Sequence, residues 1–299
     1  MYTEKANFRT IMMARLLEVS RSGYYNWQLR LLNPQSDPEA ALKGQILMLW
    51  EKSKHRYGCR RIHADLKSLG VDVTLYRVRK CLRKMGICGI QPRIKKRTTI
   101  PAADASLRPD LIKKDFKAPV PTVKLVGDIT YLKTAEGWLY LAVVIDLYCR
   151  AVVGWSMDTH MKASLPASAL RMAVLNGYVA GNAIFHSDRG SQYTSKEYSE
   201  FAASKDIRLS VGRTGTSTDN AVAESFFSML KNEMYYLSNF KSRAQARGAV
   251  MEYIEIFYNR QRRHSAIDYQ VPQEKMNAFF LRSETVSKLS EDAKLVLVG

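Results

Sequence analysis

Apolar residues recur at three- and four-residue steps through Ala223, Phe226, Phe227, Leu230, Met234 and Leu237, which predicts a helix with one buried stripe. The other face would carry Glu224, Ser228, Lys231 and Tyr235, and Asp219 or Asn220 is positioned to cap the amino end. A different pattern governs the stretches VKLVGDITYLKT, WLYLAVVIDLYCR and AVVGWSMD. They are β-branched and largely apolar, and read as a three-strand meander turning first at Ala135-Glu136-Gly137. Next come a helix, KASLPASALRMAVLNG, which tolerates Pro166 only in its first turn, and a short buried strand, AIFHS. The helix SKEYSEFAASKD, the strand IRLSV and a Gly/Thr/Ser loop complete the approach to Glu224. Three strands followed by alternating helix and strand predict an α/β core, a mixed sheet with helices on its faces.

The chain before Thr122 is patterned for helices. FRTIMMARLLEV and GYYNWQLR read as two short helices, the second capped by Ser20. They suit either half of a helix-turn-helix or a plain helical hairpin for packing or oligomerisation. Asn33 to Pro38 reads as a linker. Three helices follow, PEAALKGQILMLWEKS, Arg60 to Leu69, and LYRVRKCLRKMG capped by Thr74 and ended by Gly86. The last sets Leu75, Val78, Leu82 and Met85 on one face and Arg77, Arg79, Lys80, Arg83 and Lys84 around the rest, with no acid among them. A basic third helix after a turn fits a helix-turn-helix reading the major groove.

Residues 87 to 121 hold five prolines and the basic run Arg93-Ile94-Lys95-Lys96-Arg97, a linker composition able to track a phosphate backbone. The final helical segment, SRAQARGAVMEYIEIFYNRQRRH, offers Tyr253, Ile254, Phe257 and Tyr258 for packing and a basic end at Arg260, Arg262, Arg263 and His264. Beyond Leu281 no chemical signal is visible. The expected organisation is a helical region (1–33), a helix-turn-helix domain (34–90), a basic linker (91–121), a catalytic core (122–277) and a tail (278–299).

Composition narrows the partners. The 299 residues carry 46 Lys and Arg against 28 Asp and Glu, a formal charge of +18 that favours a polyanion. Cys59, Cys81, Cys88 and Cys149 form no CxxC pair, and neither a leader nor a membrane-length apolar run is seen, so a reduced, cytoplasmic protein with no membrane partner is expected. His55, Cys59, His63 and Cys81 raise the thought of zinc, but Tyr57-Gly58 interrupts their spacing.

Three carboxylates stand out. Asp188 follows a buried strand and precedes the turn Arg189-Gly190-Ser191, where open α/β sheets place ligands. Asp128 interrupts an apolar strand, and a buried charge is costly unless paired or bound to a metal. Glu224 lies on the polar face of its helix. Asp146, in VVIDLYCR, is a rival and reads as structural.

The strings RYGCRRI (56–62), GDITYL (127–132), HSDRGSQYTS (186–195), STDNAVAESFFSMLKNE (217–233) and YNRQRRHSAIDYQVPQE (258–274) resemble the DDE transposases of bacterial insertion sequences, specifically the second-frame catalytic subunit of the insertion-sequence three family, akin to retroviral integrases. Thirty-five residues lie between Asp188 and Glu224, and Lys231 stands seven after Glu224, both as in that family. The resemblance implies an RNase H-like core in which Asp128, Asp188 and Glu224 are catalytic and bind two magnesium ions, with manganese able to substitute. Asp128 would bridge the ions, with Asp188 and Glu224 holding one each. It implies Lys231 and His264 as DNA contacts, joined by Arg60, Arg61, Arg77, Lys80, Arg83, Lys84, Lys95, Lys96 and Arg97. The expected partners are the element's terminal inverted repeats and target DNA, a homo-oligomer on that DNA, and a partner or fusion from an upstream frame. An RNase H-like nuclease without strand transfer, or a catalytically silent DNA-binding relic, would share much of this pattern.

Overall fold

A computed structural model describes residues 1–32, 37–91, 108–212 and 220–283. The chain divides into two compact units, Met1–Gly89 and Ile90–Gly299.

The first unit is helical. It contains α1 (Thr10–Leu16), α2 (Arg21–Leu32), α3 (Ala40–Lys52), α4 (Cys59–Ser68) and α5 (Leu75–Lys84). Ser20 Oγ accepts from the Gly23 N–H, and Thr74 Oγ1 from the Arg77 N–H, so both expected caps form. Ile46 and Leu49 of α3, Ile62 and Leu66 of α4, and Val78, Cys81 and Leu82 of α5 make the buried seam. No zinc cluster exists among the described residues. His55 stacks on Trp50, and His63 Nε2 sits 3.0 Å from the Val73 carbonyl.

The second unit is a five-stranded sheet in the order β3-β2-β1-β4-β5. Strands β1 (Lys124–Thr134), β2 (Gly137–Asp146) and β3 (Val152–Asp158) form the antiparallel meander. After α6 (Ser164–Leu175), strand β4 (Ile184–Ser187) pairs parallel with β1; α7 (Ser191–Thr194) and α8 (Lys196–Ala203) follow, and β5 (Arg208–Val211) pairs parallel with β4. Next come α9 (Ala221–Glu233), α10 (Arg243–Met251) and a π-helical stretch, Glu252–Tyr258. Residues 272–283 add a helix that the apolar pattern did not announce.

Helices α6 and α8 cover one sheet face over Leu125, Ala142, Val144 and Phe185; α9 and α10 pack against β1 and β2 on the other. Pro166 lies in the first turn of α6, where its missing N–H costs nothing. Two close approaches demand glycine. A Cβ on Gly154 would sit 2.2 Å from the Ala169 carbonyl oxygen, and one on Gly127 would sit 2.2 Å from the Phe185 ring.

The outer edge of β3 is met by side chains. Asn259 Oδ1 accepts from the Val152 N–H and its Nδ2 donates to the Val152 carbonyl, both at 2.9 Å. The Trp155 N–H faces Met172 Sδ, and Arg247 donates to the Met157 carbonyl. At the opposite edge the Val211 N–H donates to the Pro109 carbonyl, and the Leu111 N–H to Ser210 Oγ. The basic linker expected over 91–121 therefore ends early. From Arg108 the chain is already fastened to the sheet unit, with Ile112 buried, because these residues supply β5 with partners.

The Glu224 helix also differs from its expected outline. It stops at Glu233, Tyr235–Leu237 forms a separate 3-10 turn, and Leu237 is exposed. Asn232 and Glu233 are buried instead, and Glu233 receives a two-pronged ion pair from Arg262 and the hydroxyl of Tyr253. Arg262 therefore belongs to the core and not to a basic surface end.

Candidate active site

Asp128 lies mid-strand on β1, Asp188 one residue beyond β4, and Glu224 in the first turn of α9. Parallel pairing of β1 with β4 brings the first two together, since Val126 pairs with His186 and each carboxylate follows two residues later. Asn220 ties the third element in. It occupies the N-cap position of α9 but makes no cap bond; its Nδ2 donates 2.9 Å to the carbonyl of Gly127, the neighbour of Asp128. Its Oδ1 is buried without a partner among the described residues. The alternative cap, Asp219, lies outside the described residues.

The electrostatics set Asp128 apart. Its carboxyl is pushed up to about 8, first by burial and then by the charge of Asp188, with Glu224 adding to the effect. The Ile129 N–H, 2.8 Å from Oδ1, and the Lys231 ammonium only partly offset this. Asp188 is reached by solvent, yet the protein packed around it raises its carboxyl above the ordinary range, against a 3.0 Å bond from the Gly190 N–H. Glu224 is exposed. Among the described residues no three His, Cys, Asp or Glu side chains stand close enough together to form a metal-ligand group.

Two nearby groups gave little sign of themselves in the sequence. Tyr193 is buried close enough for the charges of Asp128 and Asp188 to act with burial in raising its hydroxyl, which has no partner among the described residues. His186 Nδ1 lies 2.8 Å from Ser210 Oγ, the same hydroxyl oxygen that accepts from Leu111. A Tyr in a Gly/Ser turn and a His inside an apolar strand could have been flagged only as buried polar groups needing an explanation.

Asp146, the rival carboxylate, is fully buried and accepts from the N–H groups of Thr122, Tyr148 and Cys149 at 2.7–2.9 Å and from the Cys149 thiol at 3.3 Å. It organises the β2–β3 turn.

Of the expected DNA contacts, Arg60, Arg77, Lys80 and Arg83 are exposed on the helical unit. Arg61 lies over the Tyr57 ring, its guanidinium carbon 5.6 Å from the centroid. The basic face of α5 is not free of acid, since Lys84 pairs with Glu39 at 2.6 Å. The sequence hid this because the two residues are 45 apart. Lys231 is half-buried with its ammonium 5.0 Å from the Tyr131 ring centroid. His264 is buried, its Nδ1 accepting from the Ala266 N–H, a place suited to holding a turn and not to meeting phosphate. Lys95, Lys96 and Arg97 lie outside the described residues.

Residues 118–217 and 205–272 match two integrase core domain families, and residues 37–95 match an HTH-like domain family. Transposase InsF of insertion sequence IS3A from Escherichia coli K12 is 40% identical over 263 residues, covering 87% of this chain and 91% of that protein. A 31 kDa protein of insertion element IS600 from Shigella sonnei is 36% identical over 85% of this chain and 94% of its own length. Among solved structures, the HTLV-2 integrase catalytic core with magnesium gives a TM-score of 0.43 at 18% identity, covering 54% of this chain and 99% of that one. No described helix is long and apolar enough to cross a membrane. With an integrase core, an HTH-like domain and this extent of identity, the chain belongs to the IS3 family of insertion-sequence transposases, enzymes of the polynucleotidyl transferase type.

Proposed function

We propose that this protein cleaves DNA strands at the ends of its own insertion element and joins them to target DNA, with Asp128, Asp188 and Glu224 as its catalytic carboxylates. The observation that carries the reading is Asp128 itself, a half-buried acid held up to about 8 by the protein packed around it and by two further carboxylates. The Lys231 ammonium only partly offsets this, and strongly perturbed acids of this kind mark functional sites. The donor set fits hard divalent cations, because three carboxylates offer oxygen alone and favour magnesium or manganese over zinc. Asp128, Asp188 and Glu224 would hold two such ions, which supply activation of the attacking oxygen and stabilisation of the leaving 3′ oxygen.

The chain's own residues supply position. Asn220 fixes the start of α9 against β1, so Glu224 is held relative to Asp128. Lys231, two helical turns along from Glu224, binds the phosphate beside the cut. Water attacks the phosphodiester at the element's end, the bond to the 3′ oxygen breaks, and a 3′-hydroxyl is freed. That hydroxyl then attacks a target phosphate and displaces the target's own 3′ oxygen. The exposed Arg60, Arg77, Lys80 and Arg83 of the helical unit hold the terminal repeat, aided by Lys95, Lys96 and Arg97, and copies of the chain pair the two ends.

The test is cleavage and joining of a labelled duplex of the element's end with magnesium, for the wild type and Glu224→Gln. Nicked and joined products that both vanish in the variant are expected. Nicking without joining would indicate a nuclease, and binding without any chemistry a DNA-binding relic.

A further inference from the structure

Two large aromatic rings lie open to solvent on the strand that carries Asp128 and on its partner strand. Tyr131 is 58% and Trp138 45% exposed, on the paired strands β1 and β2. Lys133 pairs with Trp138 and Tyr131 with Tyr140, so the two rings are diagonal neighbours, with centroids 5.3 Å apart and planes at 89°. Rings of this size ordinarily contribute most when buried, and two left bare together mark a surface awaiting a partner. Lys231 links them to the active site. Its ammonium lies 5.0 Å from the Tyr131 centroid and is also close enough to draw the Asp128 carboxyl downward. Along β1, Tyr131 is three residues beyond Asp128, about 10 Å, and its side chain leaves the opposite face of the strand, so Lys231 is the group that reaches both.

We propose that Tyr131 and Trp138 form a stacking platform for an unpaired base of the DNA strand beside the scissile phosphate, while Lys231 takes a neighbouring phosphate. The inference rests on the transposase reading and adds a base contact to it. The charge around the rings favours a polyanion, with Lys133 exposed alongside and Arg243 donating 3.1 Å to the Trp138 carbonyl. Without DNA, Lys231 rests over the ring. A charge-assisted bond to phosphate is stronger than a cation–π contact, so the backbone draws the lysine away and leaves a bare face for a base. Every base has such a face, so the platform tolerates any sequence, as strand joining to varied targets requires.

The experiment uses the full chain without divalent ions and two probes, a blunt duplex of the element's end and the same duplex with a three-nucleotide overhang carrying 2-aminopurine. The wild type should quench the overhang's fluorescence. Tyr131→Leu and Trp138→Leu should each lose the quench and bind the overhang duplex about 5- to 30-fold more weakly, with blunt-duplex affinity unchanged and Tyr131→Phe and Trp138→Phe close to wild type. Equal weakening on both probes would overturn the platform. So would a melting temperature that falls while affinity holds, which would mark the rings as a brace of the hairpin. Because no cutting is needed, the two readings separate. A chain that quenches but never cleaves with magnesium loses the transposase reading alone, and one that cleaves without quenching loses the platform alone.

Discussion

Asp128 and Asp146 are aspartates on adjacent, hydrogen-bonded strands, each set in an apolar run, and the protein treats them in opposite ways. Asp146 is wholly enclosed and receives three backbone N–H groups and a thiol, so its charge is met where it stands. Among the described residues Asp128 receives a single N–H, from the next residue, and faces two other carboxylates with only the Lys231 ammonium in partial compensation. A charge fully answered by local donors is architecture, and one answered only in part is held for something the fold does not itself contain. Chemical type does not separate the two residues; the supply of donors does.

Replacement of each residue should sharpen this contrast. Asp128→Asn should lower strand cleavage by about 10³-fold or more while the chain stays folded, read as initial rate beside the unfolding midpoint in urea. Retention of cleavage within tenfold would remove Asp128 from the catalytic group. Asp146→Ala should do the reverse and cost about 3 kcal/mol of stability by stranding three N–H groups, two of them buried, seen as a lower urea midpoint. An unchanged midpoint would mean that water or a shifted turn replaces the carboxylate.

The smallest expected effect is on pH dependence. The Asp128 carboxyl sits at about 8 in the folded chain and near 3.8 when exposed, so between those values the folded chain keeps a proton the unfolded one has released. Metal-free stability should therefore fall as pH rises from about 4 to about 8 and level off above, by about 2 kcal/mol once solvent at the site is allowed for. Asp128→Asn should flatten that slope. Magnesium should raise the melting temperature of the wild type more at pH 8.5 than at pH 6, because binding requires the deprotonated site. An equal shift at both pH values would place the metal elsewhere.

Much of the site was legible because its residues contradict their surroundings. An aspartate inside an apolar strand, another at a strand's end and a glutamate on a helix's polar face are local signals, and the strands and the start of the Glu224 helix formed where the pattern put them. What stayed hidden depends on residues far apart in sequence. Glu233 looked like one more polar position until Arg262, 29 residues on, buried it. Lys84 looked like a free cation, but Glu39 meets it. His264 looked like the end of a basic helix, but the chain folds back there and encloses it. The helix boundary at Glu233 escaped for a related reason, since apolar spacing continued through Leu237 although the backbone did not.

The treatment of the sheet's two borders bears on how copies of this protein can coexist. Asn259 presents to Val152 the donor and acceptor that a sixth strand would present, Met172 and Arg247 occupy further positions of the same border, and Pro109, itself lacking an N–H, stands beside Val211 at the other. Ribbon-like growth by strand addition is thus discouraged at both ends. On the proposed reading, several copies gather on one stretch of DNA, and these borders let them do so without the β-structure acting as a seed for aggregation.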